Sequence, residues 1–233
     1  MTLPPLAGDR TRIKICGITR VADAHAAVDA GADAIGLVFW PGTPRVVTGA
    51  QAAAIVATLP AYVTVVGLFV DPEPQAVRYV LAAVPIDVLQ FHGREPAQLC
   101  RAFGRRYVKA IPVKDHVDLL ESVSPYDDAA GLLFDAFREG DLPGGTGRVF
   151  DWGRLTGVVR SGLAQPLILS GGLDAGNVAR AIRDVRPWAV DVSSGVEELD
   201  AGGAPRRGLK DPARIRAFVQ GVRSADGGAF PVA

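Results

Sequence analysis

Two apolar runs of strand length end in side chains that could move a proton. Cys16 ends the run 12–16, and Asp135 ends the run 131–135. A thiolate can act as a general base, and a partly desolvated carboxylic acid suits proton donation. From position alone, a buried core role is the more common one for Cys16, because free cysteine is among the most buried residue types. Asp135 could equally cap a loop.

Lys14 and Asp191 are candidate neighbours of this thiol. Successive side chains of a strand alternate between its faces, so Lys14 and Cys16 point the same way. An ammonium close to the thiol favours the thiolate form. If the first and last strands of the chain pair, Asp191 can form an ion pair with Lys14, and this pair could be purely structural.

Glycine-bearing turns follow two later apolar runs and could bind a phosphate. Glycine lets the backbone N–H groups approach an anion closely, and serine hydroxyls add further donors. Either turn alone could be an ordinary tight turn, but two together favour an anion site. A third glycine-rich stretch, residues 144–147, is a weaker signal of the same kind. The candidate phosphate-binding residues are Gly171, Gly172, Ser193, Ser194 and Gly195.

Arg45 and His92 also lie just beyond apolar runs. The guanidinium of Arg45 could bind a carboxylate or a phosphate, although most arginines of this chain are expected to be solvated. For His92 we favour a supporting hydrogen bond over a role as a ligand or a proton carrier. Phe39 and Trp40 could line a pocket for an aromatic group or pack in the core.

Composition limits the classes of partner. The chain of 233 residues has 25 basic and 25 acidic residues, which argues against a nucleic-acid-binding surface. Its apolar runs are shorter than the roughly 18 residues of a membrane span. Its 2 cysteines and 3 scattered histidines predict neither a disulfide framework nor a bound metal. We therefore expect a cytoplasmic protein that acts on a small molecule.

Strand and helix patterns alternate along the chain. The apolar runs show little polar alternation, as expected for parallel strands covered on both faces. The predicted strands are residues 12–16, 33–39, 63–69, 87–91, 107–111, 131–135, 166–170 and 189–192. The predicted helices are residues 21–30, 50–59, 74–83, 95–103, 117–123, 152–161, 177–185 and 212–222, with caps at Thr48, Asp71 and Asp211.

Eight strand–helix units in a chain of this length predict a single-domain (β/α)₈ barrel of the TIM type with eight parallel strands. An open doubly wound sheet is the alternative, but it rarely uses eight evenly spaced strands. We expect the barrel over residues 12–222, an N-terminal extension over 1–11 and a C-terminal tail over 223–233. The stretch 202–208 is expected to be a loop.

An ordered set of motifs extends over nearly the whole chain. The motifs are Lys14-Ile15-Cys16-Gly17-Ile18-Thr19, Gly31-Ala32-Asp33-Ala34-Ile35-Gly36, Gln90-Phe91-His92-Gly93, Gly144-Gly145-Thr146-Gly147 with Phe150-Asp151-Trp152, Leu169-Ser170-Gly171-Gly172-Leu173 with Asn177-Val178, and Asp191-Val192-Ser193-Ser194-Gly195-Val196-Glu197 followed by Lys210-Asp211. In this order the set is highly specific, and it resembles the phosphoribosylanthranilate isomerases of tryptophan biosynthesis. Residues 199–209 form a longer link than is usual in that family.

The resemblance implies a cofactor-free Amadori rearrangement of N-(5′-phosphoribosyl)anthranilate. By similarity, Asp135 is the general acid that opens the ribose ring, and Cys16 is the general base that removes the proton from C2′. Arg45 then matches the residue that holds the anthranilate carboxylate, and the two glycine-bearing turns match the phosphate site. Lys14, His92 and Asp191 would support these groups. The protein is expected to be a monomer or a homodimer.

Other functions remain open at this point. A related isomerase that acts on the phosphoribosyl substrate of the histidine pathway, alone or together with that of the tryptophan pathway, has similar phosphate turns. It has an aspartate where this chain has Cys16. A metal-dependent sugar-phosphate epimerase is less favoured, because the strand ends of this chain lack the His/Asp pairs that would bind its metal. A barrel kept as a non-catalytic binding module is the alternative from a different class, and turnover by the purified protein would exclude it.

Overall fold

A closed barrel of eight parallel strands forms the centre of the molecule. The computed structural model describes residues 10–114, 117–136, 150–160 and 162–229. The strands pair in sequence order, and the ring closes between the first and the eighth. They are Arg12–Cys16 (β1), Ala34–Val38 (β2), Thr64–Phe69 (β3), Val88–Phe91 (β4), Arg106–Val113 (β5), Gly131–Ala136 (β6), Leu167–Leu169 (β7) and Ala189–Val192 (β8). The barrel predicted from the sequence is confirmed.

A helix follows each strand. A short 3₁₀ helix, Trp152–Leu155, precedes the sixth α-helix, so the stretch predicted as one helix is two. In the described residues the α-helices are Val21–Ala30 (α1), Gly49–Val56 (α2), Pro74–Ala83 (α3), Ala97–Arg101 (α4), Leu119–Val123 (α5), Thr156–Arg160 (α6), Val178–Val185 (α7) and Pro212–Ala229 (α8). None of the helices in the described residues is long and apolar enough to cross a bilayer.

Two of the three predicted caps are confirmed and one is wrong. Thr48 forms a capping box with Gln51 at the start of α2, and the Asp211 carboxylate accepts a hydrogen bond from the N–H of Ala213 in the first turn of α8. Asp71 does not cap α3, which begins at Pro74. Its carboxylate instead accepts from the backbone N–H of Arg94, at 2.6 Å, in the loop after β4.

Strand side chains alternate between two cores. Ile13 and Ile15 belong to the large core between the strands and the helices, whereas Cys16 belongs to a separate small cluster with Val38 and Leu68. A second small cluster contains Val108, Ala110 and Leu133. The two-residue period of each strand therefore sends polar side chains such as Lys14 into the barrel and apolar ones towards the helices.

A β-hairpin occupies the stretch that the sequence predicted as a loop before the last helix. Its strands are Glu197–Leu199 (β9) and Pro205–Lys210 (β10), which pair antiparallel with Lys210 opposite Glu197. The prediction was wrong because Pro205 and three glycines in this stretch weaken the strand pattern. The hairpin packs beside the mouth of the barrel, where Thr19 donates a hydrogen bond to the carbonyl of Gly208.

Helix α8 continues beyond its predicted end at residue 222 and reaches Ala229. Ala225 lies on its buried face. The carboxylate of Asp226 accepts hydrogen bonds from the N–H and the hydroxyl of Thr11, at 2.9 and 2.7 Å. These contacts with the residue before β1 explain the longer helix. Residues 1–9 and 230–233 lie outside the described part of the chain.

Candidate active site

Cys16 lies on the inner face of the barrel at the end of β1. Its side chain is buried against Val38 and Leu68, and Trp40 packs beside this cluster. Gly36 on the neighbouring strand leaves the space that the thiol occupies, because a Cβ at position 36 would lie 2.7 Å from Cys16 Sγ. The site thus has an apolar wall on the side of β2 and β3.

An ion pair lies next to the thiol. Lys14 Nζ is 2.8 Å from Asp191 Oδ1, and both side chains are buried. Burial raises the pKa of the Cys16 thiol above its ordinary value, although the charge of Lys14 opposes that shift. Burial alone would lower the pKa of Lys14, but the Asp191 carboxylate raises it, so the lysine stays charged. The expected pairing of Lys14 with Asp191 is therefore present.

Cys100, the other cysteine, is structural. It lies in α4 and is fully buried in the large core. Burial raises the pKa of its thiol to about 12, so this side chain remains a neutral thiol at physiological pH. Cys16 and Cys100 therefore occupy different environments, one inside the barrel and the other between the strands and the helices.

Asp135 reaches the mouth of the barrel from β6 and is held by a histidine. Its side chain is buried, and its Oδ2 lies 3.0 Å from His92 Nε2. On the other side of the ring, His92 Nδ1 lies 3.1 Å from Gln90 Nε2. The amide of Gln90 can donate to Nδ1 only if that nitrogen lacks a proton, which leaves Nε2–H to donate to Asp135. His92 makes the supporting hydrogen bond that we favoured from the sequence.

Arg45 is bound on one side by a carboxylate of this chain. Its Nε and Nη2 donate to the two oxygens of Glu197, at 2.7 and 2.8 Å. Both side chains are buried. Within the described residues, no acceptor is hydrogen-bonded to Arg45 Nη1. One edge of the guanidinium is therefore occupied, whereas the edge formed by Nη1 and Nη2 remains available to a second carboxylate.

Gly171 and Gly172 form a turn that only glycine fits. Their φ angles are +85° and +64°, and a Cβ at Gly171 would lie 2.6 Å from the backbone N of Ala136. Within the described residues, neither N–H of this turn has a hydrogen-bond acceptor. The turn thus has the two properties that a phosphate site made of backbone groups requires, close access and free donors.

A second turn follows β8 at Ser193, Ser194 and Gly195. A Cβ at Gly195 would lie 2.0 Å from the carbonyl oxygen of Leu173, so a larger residue cannot occupy this position. Lys210 stabilises the turn, since its Nζ donates to the carbonyl of Ser193 at 2.9 Å. The strand order places this turn next to the Gly171–Gly172 turn, because β7 and β8 are neighbours.

The atoms that lie close to Gly17 and Gly171 show how the candidate site residues converge. A Cβ at Gly17 would lie 2.7 Å from Arg45 Cδ and 3.1 Å from Ser193 Oγ, so both side chains meet directly after Cys16. A Cβ at Gly171 would lie 3.0 Å from Asp135 Oδ1. One turn therefore borders the candidate acid and the other borders the candidate base. Residues 144–147, the weaker phosphate signal, lie outside the described residues.

The two aromatic residues that could line a pocket or pack in the core lie in different places. Phe39 packs against the large core and stacks on Phe69, with ring centroids 5.3 Å apart, whereas Trp40 packs beside Cys16. Sequence reasoning assigned no role to Glu197 or Gln90, although both lie inside the motifs quoted above. The available signal was a glutamate close to a strand end, but its partner Arg45 is 152 residues away.

The comparisons with known proteins agree with this geometry. A family model described as N-(5′-phosphoribosyl)anthranilate (PRA) isomerase matches residues 13–221. The chain belongs to this family. It is accordingly an isomerase, and the family predicted from the sequence is confirmed. The histidine-pathway isomerase and the non-catalytic barrel are not favoured by these matches.

Relatives and solved structures extend over most of the chain. The N-(5′-phosphoribosyl)anthranilate isomerase of Alcanivorax borkumensis is 52% identical over 213 residues, which is 91% of this chain and 95% of that protein. The isomerase structure from Thermotoga maritima has a TM-score of 0.80 and 36% identity, covering 92% and 99% of the two chains. The Thermus thermophilus structure has a TM-score of 0.79 and 33% identity, with the same coverage.

Proposed function

We propose that this isomerase converts N-(5′-phosphoribosyl)anthranilate to 1-(2-carboxyphenylamino)-1-deoxyribulose 5-phosphate, a step of tryptophan biosynthesis. Family membership supports this reaction. The observation that carries the proposal is a thiol and a carboxyl group at the same mouth of the barrel, each next to a glycine-bearing turn. The rearrangement needs one acid and one base and, in this proposal, no cofactor.

Asp135 is the proposed general acid. Its carboxyl proton passes to the ribose ring oxygen, the bond between C1′ and that oxygen breaks, and the nitrogen lone pair forms a protonated Schiff base with C1′. The hydrogen bond between His92 Nε2 and Asp135 Oδ2 supports this role because it fixes the direction of the carboxyl group. Gln90 in turn keeps the imidazole in one orientation.

Cys16 is the proposed general base. Its thiolate removes the proton from C2′, and the electrons of that C–H bond form the double bond of an enolamine while the Schiff-base nitrogen becomes neutral. Protonation of C1′ and loss of the hydroxyl proton at C2′ then give the ketone. The Lys14 ammonium supports this role, since its charge favours the thiolate against the effect of burial.

The two anionic ends of the substrate would bind at different places. The phosphate fits the turns at Gly171, Gly172 and Ser193 to Gly195, where backbone N–H groups can donate. The anthranilate carboxylate fits the free edge of Arg45, formed by Nη1 and Nη2. Trp40, beside Cys16, provides an apolar surface for the aromatic ring between these ends.

Substrate turnover by two variants tests the proposal. Cys16→Ser and Asp135→Asn should each lower kcat by about 10²-fold to 10⁴-fold and change the affinity for product only a few-fold, because each removes a proton-transfer group. The measurement is the decay of anthranilate fluorescence in purified protein supplied with freshly generated substrate. Product affinity is measured in parallel by titration.

Cys100→Ala is the matched control for the cysteine variant, since it removes a thiol from the core without touching the site. It should keep the wild-type kcat. No turnover by well-folded wild-type protein would refute the reaction, and the histidine-pathway substrate would then be tried. Loss of product binding in Cys16→Ser or Asp135→Asn would show that the residue has a structural role instead.

We further propose that the isomerase works in the cytoplasm as a monomer or a homodimer. One solved relative is named as the dimeric enzyme from Thermotoga maritima, studied as monomers. Light scattering on the purified chain distinguishes the two states, and a larger assembly would contradict the proposal.

A further inference from the structure

The side chain of Glu197 lies at the centre of a buried charged cluster that joins two parts of the candidate site. Its carboxylate is fully buried and accepts four hydrogen bonds. Arg45 Nε and Nη2 donate at 2.7 and 2.8 Å, the N–H of Gly208 donates at 2.8 Å, and Lys210 Nζ donates at 3.2 Å. No other carboxylate in the described residues contacts Arg45.

The carboxylate of Glu197 is ionised in this cluster. Burial alone would raise its pKa, but the hydrogen bond from Arg45 and the charge of Lys210 lower the pKa below the ordinary value for glutamate. A glutamate that receives a two-fold hydrogen bond fixes the plane of the guanidinium. The free Nη1–Nη2 edge of Arg45 therefore points in a direction that Glu197 sets.

Lys210 links the same carboxylate to the turn after β8. Its Nζ donates to the carbonyl of Ser193 at 2.9 Å and lies 3.4 Å from the Ser193 hydroxyl. The lysine is almost completely buried, so its position is fixed by packing as well as by charge. The chain of contacts thus extends from Arg45 through Glu197 and Lys210 to the candidate phosphate turn.

The hairpin holds this cluster against the loop that carries Arg45. Glu197 is the first residue of β9 and Lys210 is the last residue of β10, and the two are paired in register. Gly208 has a φ of +88°, and a Cβ there would lie 3.0 Å from the carbonyl oxygen of Pro44. The backbone of the hairpin therefore lies directly against the residue before Arg45.

We propose that Glu197 and Lys210 are positioning residues that hold the free edge of Arg45 at a fixed place relative to the phosphate turn, and so make the isomerase select substrates with an ortho-carboxylate on the aromatic amine. This inference rests on the proposed function, because it assumes that Arg45 binds the anthranilate carboxylate. It concerns specificity: within the described residues, Glu197 and Lys210 are hydrogen-bonded to Arg45, to Ser193 and to each other, and not to Cys16 or Asp135.

The test compares two reduced product analogues, one with the ortho-carboxylate and one without it. Wild-type protein should bind the carboxylated analogue more tightly. Glu197→Gln keeps the shape of the side chain but places an amide against the guanidinium, so binding of the carboxylated analogue should weaken by about 10-fold to 100-fold. Binding of the analogue without the carboxylate should change by less than about threefold. In turnover, KM should rise more than kcat falls.

Glu198→Gln is the matched control, because Glu198 is the next residue in the hairpin and pairs with Arg20 and Arg206 on the surface. It should leave both affinities unchanged. Glu197→Asp keeps the charge and shortens the side chain. If circular dichroism shows that Glu197→Gln does not fold, Glu197→Asp is measured instead and should show the same selective loss of affinity for the carboxylated analogue.

Equal weakening of both analogues would overturn the inference, since it would mean that Glu197 only maintains the fold. Unchanged binding of both would also overturn it. These outcomes leave the proposed reaction intact as long as the wild-type protein turns over its substrate. If the wild type neither binds the analogues nor turns over substrate, the proposed function fails and this inference fails with it.

Discussion

The Cys16 thiol experiences two opposing effects. Contact with Val38 and Leu68 removes water from it, which disfavours the thiolate. The Lys14 ammonium on the same strand face favours the thiolate, and the Asp191 carboxylate reduces that effect. Burial is the larger influence, so the pKa of Cys16 is raised. A neutral thiol is less readily oxidised than a thiolate.

We predict that the thiolate of Cys16 forms only above the ordinary thiol pKa of about 8.5. Burial stabilises the neutral form, so more alkaline solution is needed to remove the proton. The measurement is the ultraviolet absorbance of the thiolate against pH, taken as the difference between wild type and Cys16→Ser. Asp191→Asn should move the midpoint to lower pH, because the nearby negative charge is removed. A wild-type midpoint below the ordinary value would contradict this prediction.

At the scale of elements, a buried ion pair fixes the connection between β4 and α4. Glu95 and Lys109 are 2.9 Å apart, and both side chains are nearly inaccessible to solvent. Glu95 also accepts from the N–H of Asp71 and of Gly93, and Lys109 donates to the carbonyl of Gly93. His92 directly follows the last residue of β4 and leads into this connection. The pair therefore maintains the loop from which His92 reaches Asp135.

Glu95→Ala should destabilise the protein by about 3–5 kcal/mol, because it leaves the charge of Lys109 buried without its partner. Urea unfolding followed by circular dichroism measures this loss. Arg101→Ala is the control: it removes an exposed ion pair with Asp127 and Asp128 and should leave the unfolding midpoint nearly unchanged. If Glu95→Ala changed the unfolding midpoint as little as Arg101→Ala, the buried pair would not be important for stability.

On the scale of the whole molecule, the first and last elements of the chain stabilise each other. The ring closes where Lys14 and Ile15 of β1 pair with Asp191 and Val192 of β8. Helix α8 then covers the start of β1, since Asp226 binds both the N–H and the hydroxyl of Thr11. The last helix thus acts as part of the barrel closure.

Asp226→Ala should lower the free energy of unfolding by about 1.5–3 kcal/mol, because hydrogen bonds to a charged group are lost at a partly buried site. Urea titration is the measurement, and kcat should stay at the wild-type value. Asp184→Ala, at an exposed position of α7, is the control and should change stability little. If truncation after residue 222 were as stable as the full chain, the closure described here would be wrong.

Much of the site was predictable from short-range patterns. The two-residue period of a strand places Lys14 and Cys16 on one face. Strand order in a closed barrel then brings Asp191 next to Lys14. These predictions succeeded because each depends on a local periodicity or on the order of neighbouring strands.

The amino-acid sequence by itself determined the eight strand–helix units, the inward side chains at the strand ends and the caps at Thr48 and Asp211. Only the tertiary structure decided that Glu197 holds Arg45, that Asp71 accepts from Arg94, and that Asp226 closes onto Thr11. Local steric and periodic preferences act within a few residues, so they can be read along the chain. A partner 152 residues away is chosen only when the barrel closes and a buried charge must lie next to an opposite charge.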